Sequence, residues 1–169
     1  MPRILVIDDE PDLRLALSIT FEDYGYDAIE GVDGTEVLDL AVTHSPDLII
    51  LDLNMPIIDG LTALQILKND ERTFSIPVCI LTAVKDPERE QRARSLGAEE
   101  FFSKPWSEEH LVRRVGELIR QHAVEVPNSD SSASDTPDAH EATVASSDTS
   151  SATRVARLSE TIRARHNIW

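Results

Sequence analysis

Leu48-Ile49-Ile50-Leu51-Asp52-Leu53-Asn54-Met55-Pro56 decides the fold. Four apolar residues run without a break into one acid, and a proline follows four places on. An uninterrupted apolar run of this length marks a strand buried on both faces, the kind found in parallel sheets. Asp52 then stands where the strand leaves the core. In open α/β sheets that carboxyl edge is where ligands bind. Taken alone, an Asp ending a strand is a turn former or a helix cap. It gains weight because three other strand ends also carry polar residues.

Outward from this stretch the chain alternates. Ile4-Leu5-Val6-Ile7 is a second apolar run, stopped by Asp8-Asp9-Glu10. Pro11 suits the first turn of a helix, where a missing N–H costs little. Leu13, Leu17 and Phe21 then form one helical stripe, closed by Gly25. Tyr26 to Glu30 is a short strand candidate. Gly34 to His44 reads as a helix with Val37, Leu38 and Ala41 inward, and Ser45-Pro46 breaks it. After Asp52, Asp59-Gly60 turns the chain into a helix carrying Leu61, Leu64, Ile66 and Leu67 and ending near Asn69. Val78-Cys79-Ile80-Leu81 is a fourth strand, ending at Thr82-Ala83. Pro87 to Leu96 is a helix closed by Gly97. Phe101-Phe102 leads to Ser103-Lys104-Pro105, and Ser107 caps a last helix with Leu111, Val115, Leu118 and Ile119 inward. Five strands alternating with five helices predict an α/β fold, a doubly wound parallel sheet with helices on both faces.

The chain has 169 residues, room for one domain and a substantial extra segment. The composition shifts after His122. From 128 to 153, Ser and Thr make up 12 of 26 residues, and no Lys or Arg occurs between Arg120 and Arg154. Such a segment buries too little surface to offset its ordering entropy. The expected organisation is a folded domain over 1–122, a disordered acidic linker over 123–153 and a basic amphipathic tail over 154–169. In that tail Val155, Leu158 and Ile162 fall on one helical face. It reads as a frayed end or as a docking helix, for a partner or for the acidic domain. The 47 residues after His122 are too few for a DNA-binding output domain of ordinary size.

Net charge is −15, which argues against direct binding to nucleic acid or an anionic membrane. The sole cysteine, Cys79, lies in an apolar run, so no internal disulfide is expected. No apolar segment approaches transmembrane length, and the first run is too short for a signal-peptide core. A soluble cytoplasmic protein is the expectation. The five His residues fall in no metal-binding spacing.

Parallel strands put Asp8-Asp9, Asp52, Thr82 and Lys104 on one edge. In strand order 2-1-3-4-5 Asp52 is central, with the acid pair on one side and Thr82 and Lys104 on the other. Neighbouring strands lie about 4.8 Å apart, so several of them reach a group of phosphate size. Clustered carboxylates raise one another's pKa, a conflict that a hard divalent cation such as Mg²⁺ removes. Lys104 offers a point charge and Thr82 a hydroxyl to a phosphoryl oxygen. This suits phosphoryl transfer, with the Asp52 carboxylate as nucleophile.

These motifs, together with Asp59-Gly60, Gly97-Ala98 and Lys104-Pro105, resemble the receiver domain of two-component response regulators over about residues 1–122. The resemblance implies a flavodoxin-like fold. It implies that Asp52 accepts phosphate from a histidine kinase or a histidine phosphotransfer protein. Asp8, Asp9, Asp52 and the Asn54 backbone carbonyl would hold Mg²⁺. Thr82, the Ala83 backbone N–H and Lys104 would hold the phosphoryl oxygens, and Thr82 and Phe101 would act as the switch. A cis Lys104-Pro105 bond is implied too. The only catalysis expected is the domain's own phosphorylation and dephosphorylation, with output through protein contacts or onward phosphate relay. Each residue has a plain reading as well. Asp8-Asp9 would cap a helix, Thr82 would bond its own backbone, and Lys104 would be a solvated lysine. Glu88–Arg92 and Glu90–Arg94 are spaced as supporting pairs on a polar helix. A Mg²⁺-dependent phosphatase with an aspartyl nucleophile needs an acid two residues after Asp52, where Asn54 stands. A flavin carrier needs a phosphate loop where Asp8-Asp9-Glu10 stands.

Overall fold

The computed structural model describes residues 1–83 and 85–125; of the linker expected over 123–153, residues 123–125 are helical, and the rest of it, with the tail expected over 154–169, lies outside the described residues. Five strands, β1 (Arg3–Ile7), β2 (Asp27–Gly31), β3 (Leu48–Leu51), β4 (Val78–Thr82) and β5 (Glu100–Ser103), alternate with five helices. The helices are α1 (Pro11–Asp23), α2 (Val37–His44), α3 (Gly60–Asn69), α4 (Pro87–Ser95) and α5 (Glu108–Glu125). All strand pairs are parallel, in the order β2-β1-β3-β4-β5. This is the doubly wound sheet that the alternation predicts.

The two faces of the sheet follow from the two-residue period of a strand. Leu5, Ile7, Ile49, Leu51, Val78 and Ile80 point to one side and pack with residues of α2, α3 and α4. Ile4, Val6, Leu48, Ile50, Cys79 and Leu81 point to the other and meet Leu17 and Phe21 of α1 and Leu111, Val115, Leu118 and Ile119 of α5. Every residue of β3 and β4 is buried, as their unbroken apolar runs require. Cys79 is a core thiol with no solvent exposure.

Element ends differ from the periodicity by a few residues, each for a local reason. The helix expected from Gly34 starts at Val37. Asp33 instead accepts from the Thr35 N–H at 2.7 Å, and Glu36 accepts from the Val32 N–H at 2.9 Å, which holds residues 32–36 as a turn. α5 runs to Glu125, three residues past His122. β2 begins at Asp27 rather than Tyr26, whose ring packs edge-on to Phe21. Beyond α3, Lys68 donates to the Phe74 and Ile76 carbonyls at 3.0 and 2.8 Å and gathers the loop before β4. Among the described residues no helix is long and apolar enough to cross a membrane.

Candidate functional site

The strand register brings the polar residues together. Ile7 is level with Leu51 and Leu51 with Ile80, so Asp8 and Asp52 leave the sheet side by side. The ladder runs one step beyond the strands. The Asp52 N–H donates to the Ile7 carbonyl at 3.0 Å, and the Lys104 N–H to the Thr82 carbonyl at 2.9 Å. Gly60 closes the loop behind Asp52, with its N–H on the Leu53 carbonyl at 3.0 Å. A Cβ on Gly60 would collide with the Asp52 carbonyl oxygen, so the start of α3 needs glycine there. The Lys104–Pro105 peptide bond is cis.

Lys104 is the hub. Its Nζ lies 2.7 Å from Asp8 Oδ2, 3.2 Å from Asp52 Oδ1 and 3.6 Å from Glu10 Oε1. Asp8 and Asp52 are 2% and 3% exposed, so this is a buried carboxylate pair bridged by one ammonium. Burial pushes the Asp52 carboxyl above its usual range; Lys104 pulls it back, and the charge of Asp8 pushes it up again. Burial opposes the charge on Lys104, yet its hydrogen bond to Asp8 and its attraction to Asp52 and Asp8 outweigh that and raise its pKa. Asp52 Oδ2 accepts from the Asn54 N–H at 2.7 Å, and Asp8 Oδ1 from the Glu10 N–H at 2.9 Å. Both carboxylates are therefore fixed by backbone as well as by lysine.

The other expected residues lie on the neighbouring strand ends and loops. Thr82 is buried at the end of β4, and Ala83 follows it at the surface. Asp9 is half-buried beside Asp8. Phe101 is half-buried on β5, with the Arg94 guanidinium 5.0 Å from its ring centroid. A cavity of about 310 Å³ lies between Thr82, Phe101 and α4, lined also by Leu53 and Pro87. Among the described residues no three acids or histidines stand gathered around a metal position; Lys104 lies between Asp8 and Asp52 instead. The donor chemistry nonetheless fits a hard cation. Two buried carboxylates share one ammonium, with the Glu10 carboxylate 3.6 Å from that ammonium and Asp9 next in sequence to Asp8, an oxygen donor set that suits a hard cation.

Three residues at the site were not singled out by sequence reasoning. Glu10 adds a third carboxylate near Lys104. Arg14 of α1 donates to the Asp8 carbonyl at 2.6 Å and pairs with Glu30 at 3.1 Å, which pins the end of β1. Arg89 of α4 donates to Asn54 Oδ1 at 2.7 Å and to the Leu53 carbonyl at 3.3 Å. Arg14 lies one helical turn after Glu10, a spacing that offers a clue; nothing in the sequence near Arg89 does. Of the two pairs expected on α4, Glu90–Arg94 closes at 2.9 Å.

Comparison with known proteins agrees with this geometry. The model of the response regulator receiver domain matches residues 4–116. RpaA of Synechocystis, described as a DNA-binding dual master transcriptional regulator, is 44% identical over 121 residues, covering 72% of this chain and 50% of RpaA. The transcriptional regulatory protein PrrA of Mycobacterium tuberculosis is 37% identical over 123 residues, 71% of this chain and 51% of its own. The chain thus spans about half the length of the curated relatives it matches. Among solved structures, the receiver domain of the Francisella response regulator 1452 has a TM-score of 0.66 and 32% identity, covering 72% of this chain and 98% of that one. The receiver domain of the sensor histidine kinase PA1611 from Pseudomonas aeruginosa shares the fold. Its TM-score is 0.66 at 23% identity over 70% of this chain and 98% of that one, and it was crystallised with a magnesium ion in its active site cleft.

Proposed function

We infer the function from one premise, that this chain belongs to the response regulator receiver family: it is a phospho-accepting switch whose acceptor is Asp52. The observation that carries this is the buried pair of Asp8 and Asp52 held by Lys104 at the carboxyl edge of the sheet. The donor is a phosphohistidine on a histidine kinase or phosphotransfer protein. An Asp52 carboxylate oxygen attacks phosphorus; the P–O bond forms as the P–N bond breaks, and the leaving imidazole keeps the electron pair. Hydrolysis by water returns the carboxylate and inorganic phosphate.

Desolvation makes the Asp52 carboxylate a better nucleophile than a hydrated one, and the Asn54 N–H orients it. Lys104 exchanges part of its contact with the carboxylates for a phosphoryl oxygen, and Thr82 and the Ala83 N–H supply further donors. Asp8, Asp9, Asp52 and the Asn54 carbonyl are the residues that would hold Mg²⁺, which when bound neutralises charge on the phosphoryl oxygens. Movement of Thr82 toward the phosphate opens the neighbouring cavity to Phe101 and alters the face formed by α4, β5 and α5, through which protein contacts carry the signal. The working domain is 1–122 with the end of α5, and the place of action is the cytoplasm. A phosphatase reading lacks its acid, since Asn54 has no ionisable group and its side chain is engaged by Arg89.

The test is an intact-mass measurement after incubation with Mg²⁺ and acetyl phosphate. One alkali-labile adduct of roughly 80 Da is expected on the wild type and none on Asp52→Asn. An unmodified wild type, or an equally modified Asp52→Asn, rules the reading out.

A further inference from the structure

α4 is a helix with almost nothing apolar to hold it. Of Pro87-Glu88-Arg89-Glu90-Gln91-Arg92-Ala93-Arg94-Ser95, only Ala93 is buried. Its position therefore rests on polar ties. Asp86 caps it, with its side chain accepting from the N–H groups of Glu88 and Arg89 at 3.0 and 3.3 Å. This cap fixes the first turn and with it the origin of the Arg89 side chain.

From there the guanidinium crosses to the loop between β3 and α3. It reaches Asn54 Oδ1 at 2.7 Å, the Leu53 carbonyl at 3.3 Å and Asp59 Oδ2 at 3.7 Å. Three acceptors from both ends of one loop thus meet one planar fork, which a lysine cannot reproduce. The side chain is only 27% exposed, so these contacts are partly shielded from water. Asn54 is the residue whose N–H holds Asp52 Oδ2 at 2.7 Å. Arg89 grips the side chain of Asn54 while the backbone of Asn54 grips the acceptor. A contact chain Arg89–Asn54–Asp52 thus runs from α4 to the phosphorylation site.

We propose that Arg89 is a positioning residue for phosphoryl transfer: through Asn54 and Leu53 it holds the acceptor loop in its reactive arrangement, and it carries movement of that loop to α4. This rests on Asp52 being the phospho-acceptor. With the tie cut, Asn54 gains rotational freedom, Asp52 is less well aimed, and α4 is uncoupled from the event at the strand edge.

The test uses the full chain with Trp169→Phe, so that Trp106, two residues from Lys104, is the sole tryptophan and is excited selectively. Phosphorylation by acetyl phosphate with Mg²⁺ is followed in the parent, Arg89→Lys, Arg89→Ala, Asn54→Ala and the Arg89→Ala/Asn54→Ala double variant. Arg89→Ala should react about tenfold more slowly, the loss of one charged hydrogen-bonding set, with Arg89→Lys between it and the parent. The double variant should be no slower than the slower single one, because both changes break the same link. Amide exchange with beryllofluoride is the second readout. In the parent the 53–59 loop and α4 respond together; in Arg89→Ala the loop alone responds. Arg89→Ala within twofold of the parent, multiplying penalties in the double variant, or an α4 response that survives the loss of Arg89 would each overturn the proposal. A parent indistinguishable from Asp52→Asn would instead overturn the acceptor reading beneath it.

Discussion

Asp52 is held in a state that suits chemistry better than stability. Burial raises its pKa above the ordinary 3.8. A carboxyl with a raised folded pKa favours folding most below its unfolded pKa, and that contribution is lost as pH rises through the folded value. At neutral pH the ionised Asp52 is therefore a cost to the fold. Asp52→Asn should raise the unfolding temperature at pH 7 by a few degrees, and the gain should shrink as pH falls toward 3.8, measured by thermal unfolding across that range. Lys104 is not orphaned by this change, because Asp8 remains 2.7 Å away. Lys104→Ala is the opposite case. It leaves two buried carboxylates facing each other and should slow phosphorylation by about a hundredfold, read from the same mass assay. At this scale Asp8, Asp52, Thr82 and Lys104 could be found in the sequence because each ends a strand whose apolar run announces it. Arg89 could not. Its partners lie 35 and 36 residues away across a loop, and an arginine in a run of charges looks like any solvated one.

The elements were legible to the degree that hydrophobic burial shapes them. β3 and β4 match their apolar runs, and α5 buries all four residues predicted to face inward. Edges fixed by side-chain bonds were less so, as at residues 32–36, where Asp33 and Glu36 outcompete helix formation. α4 was readable only as a polar helix, since its placement depends on Asp86 and Arg89 rather than on a stripe. The start of α3 carries a sharper demand. Gly60 packs its α-carbon against the Asp52 carbonyl, and any Cβ must displace backbone there. Gly60→Ala should cost roughly 2 kcal/mol by denaturant unfolding. If Asp52 is the acceptor, it should also lower the phosphorylation rate, because the displaced atoms belong to Asp52.

For the whole molecule, the parallel order β2-β1-β3-β4-β5 sets which residues meet. Alternation and right-handed crossovers leave only a few doubly wound orders open, and the resemblance to receiver domains selects this one among them. The extent of the chain needed for function was less clear, because the helical pattern of α5 fades before the helix ends at Glu125. A chain cut after Glu125 should unfold within about 2 °C of the full chain and take up phosphate at the same rate, if 1–122 with the end of α5 is the working unit. A larger loss in either measurement would extend the working unit into the C-terminal segment. The contact between Lys104 and Asp8 joins residues 96 positions apart. A ribosome therefore makes Asp8, and Asp52 after it, well before it makes the lysine that joins them. If Asp52 is the acceptor, a nascent or half-folded chain should not take up phosphate until β5, which carries Lys104 at its end, takes its place on the sheet. Reactivity with a small phosphodonor thus doubles as an assay for finished assembly, one that helix content alone cannot mimic.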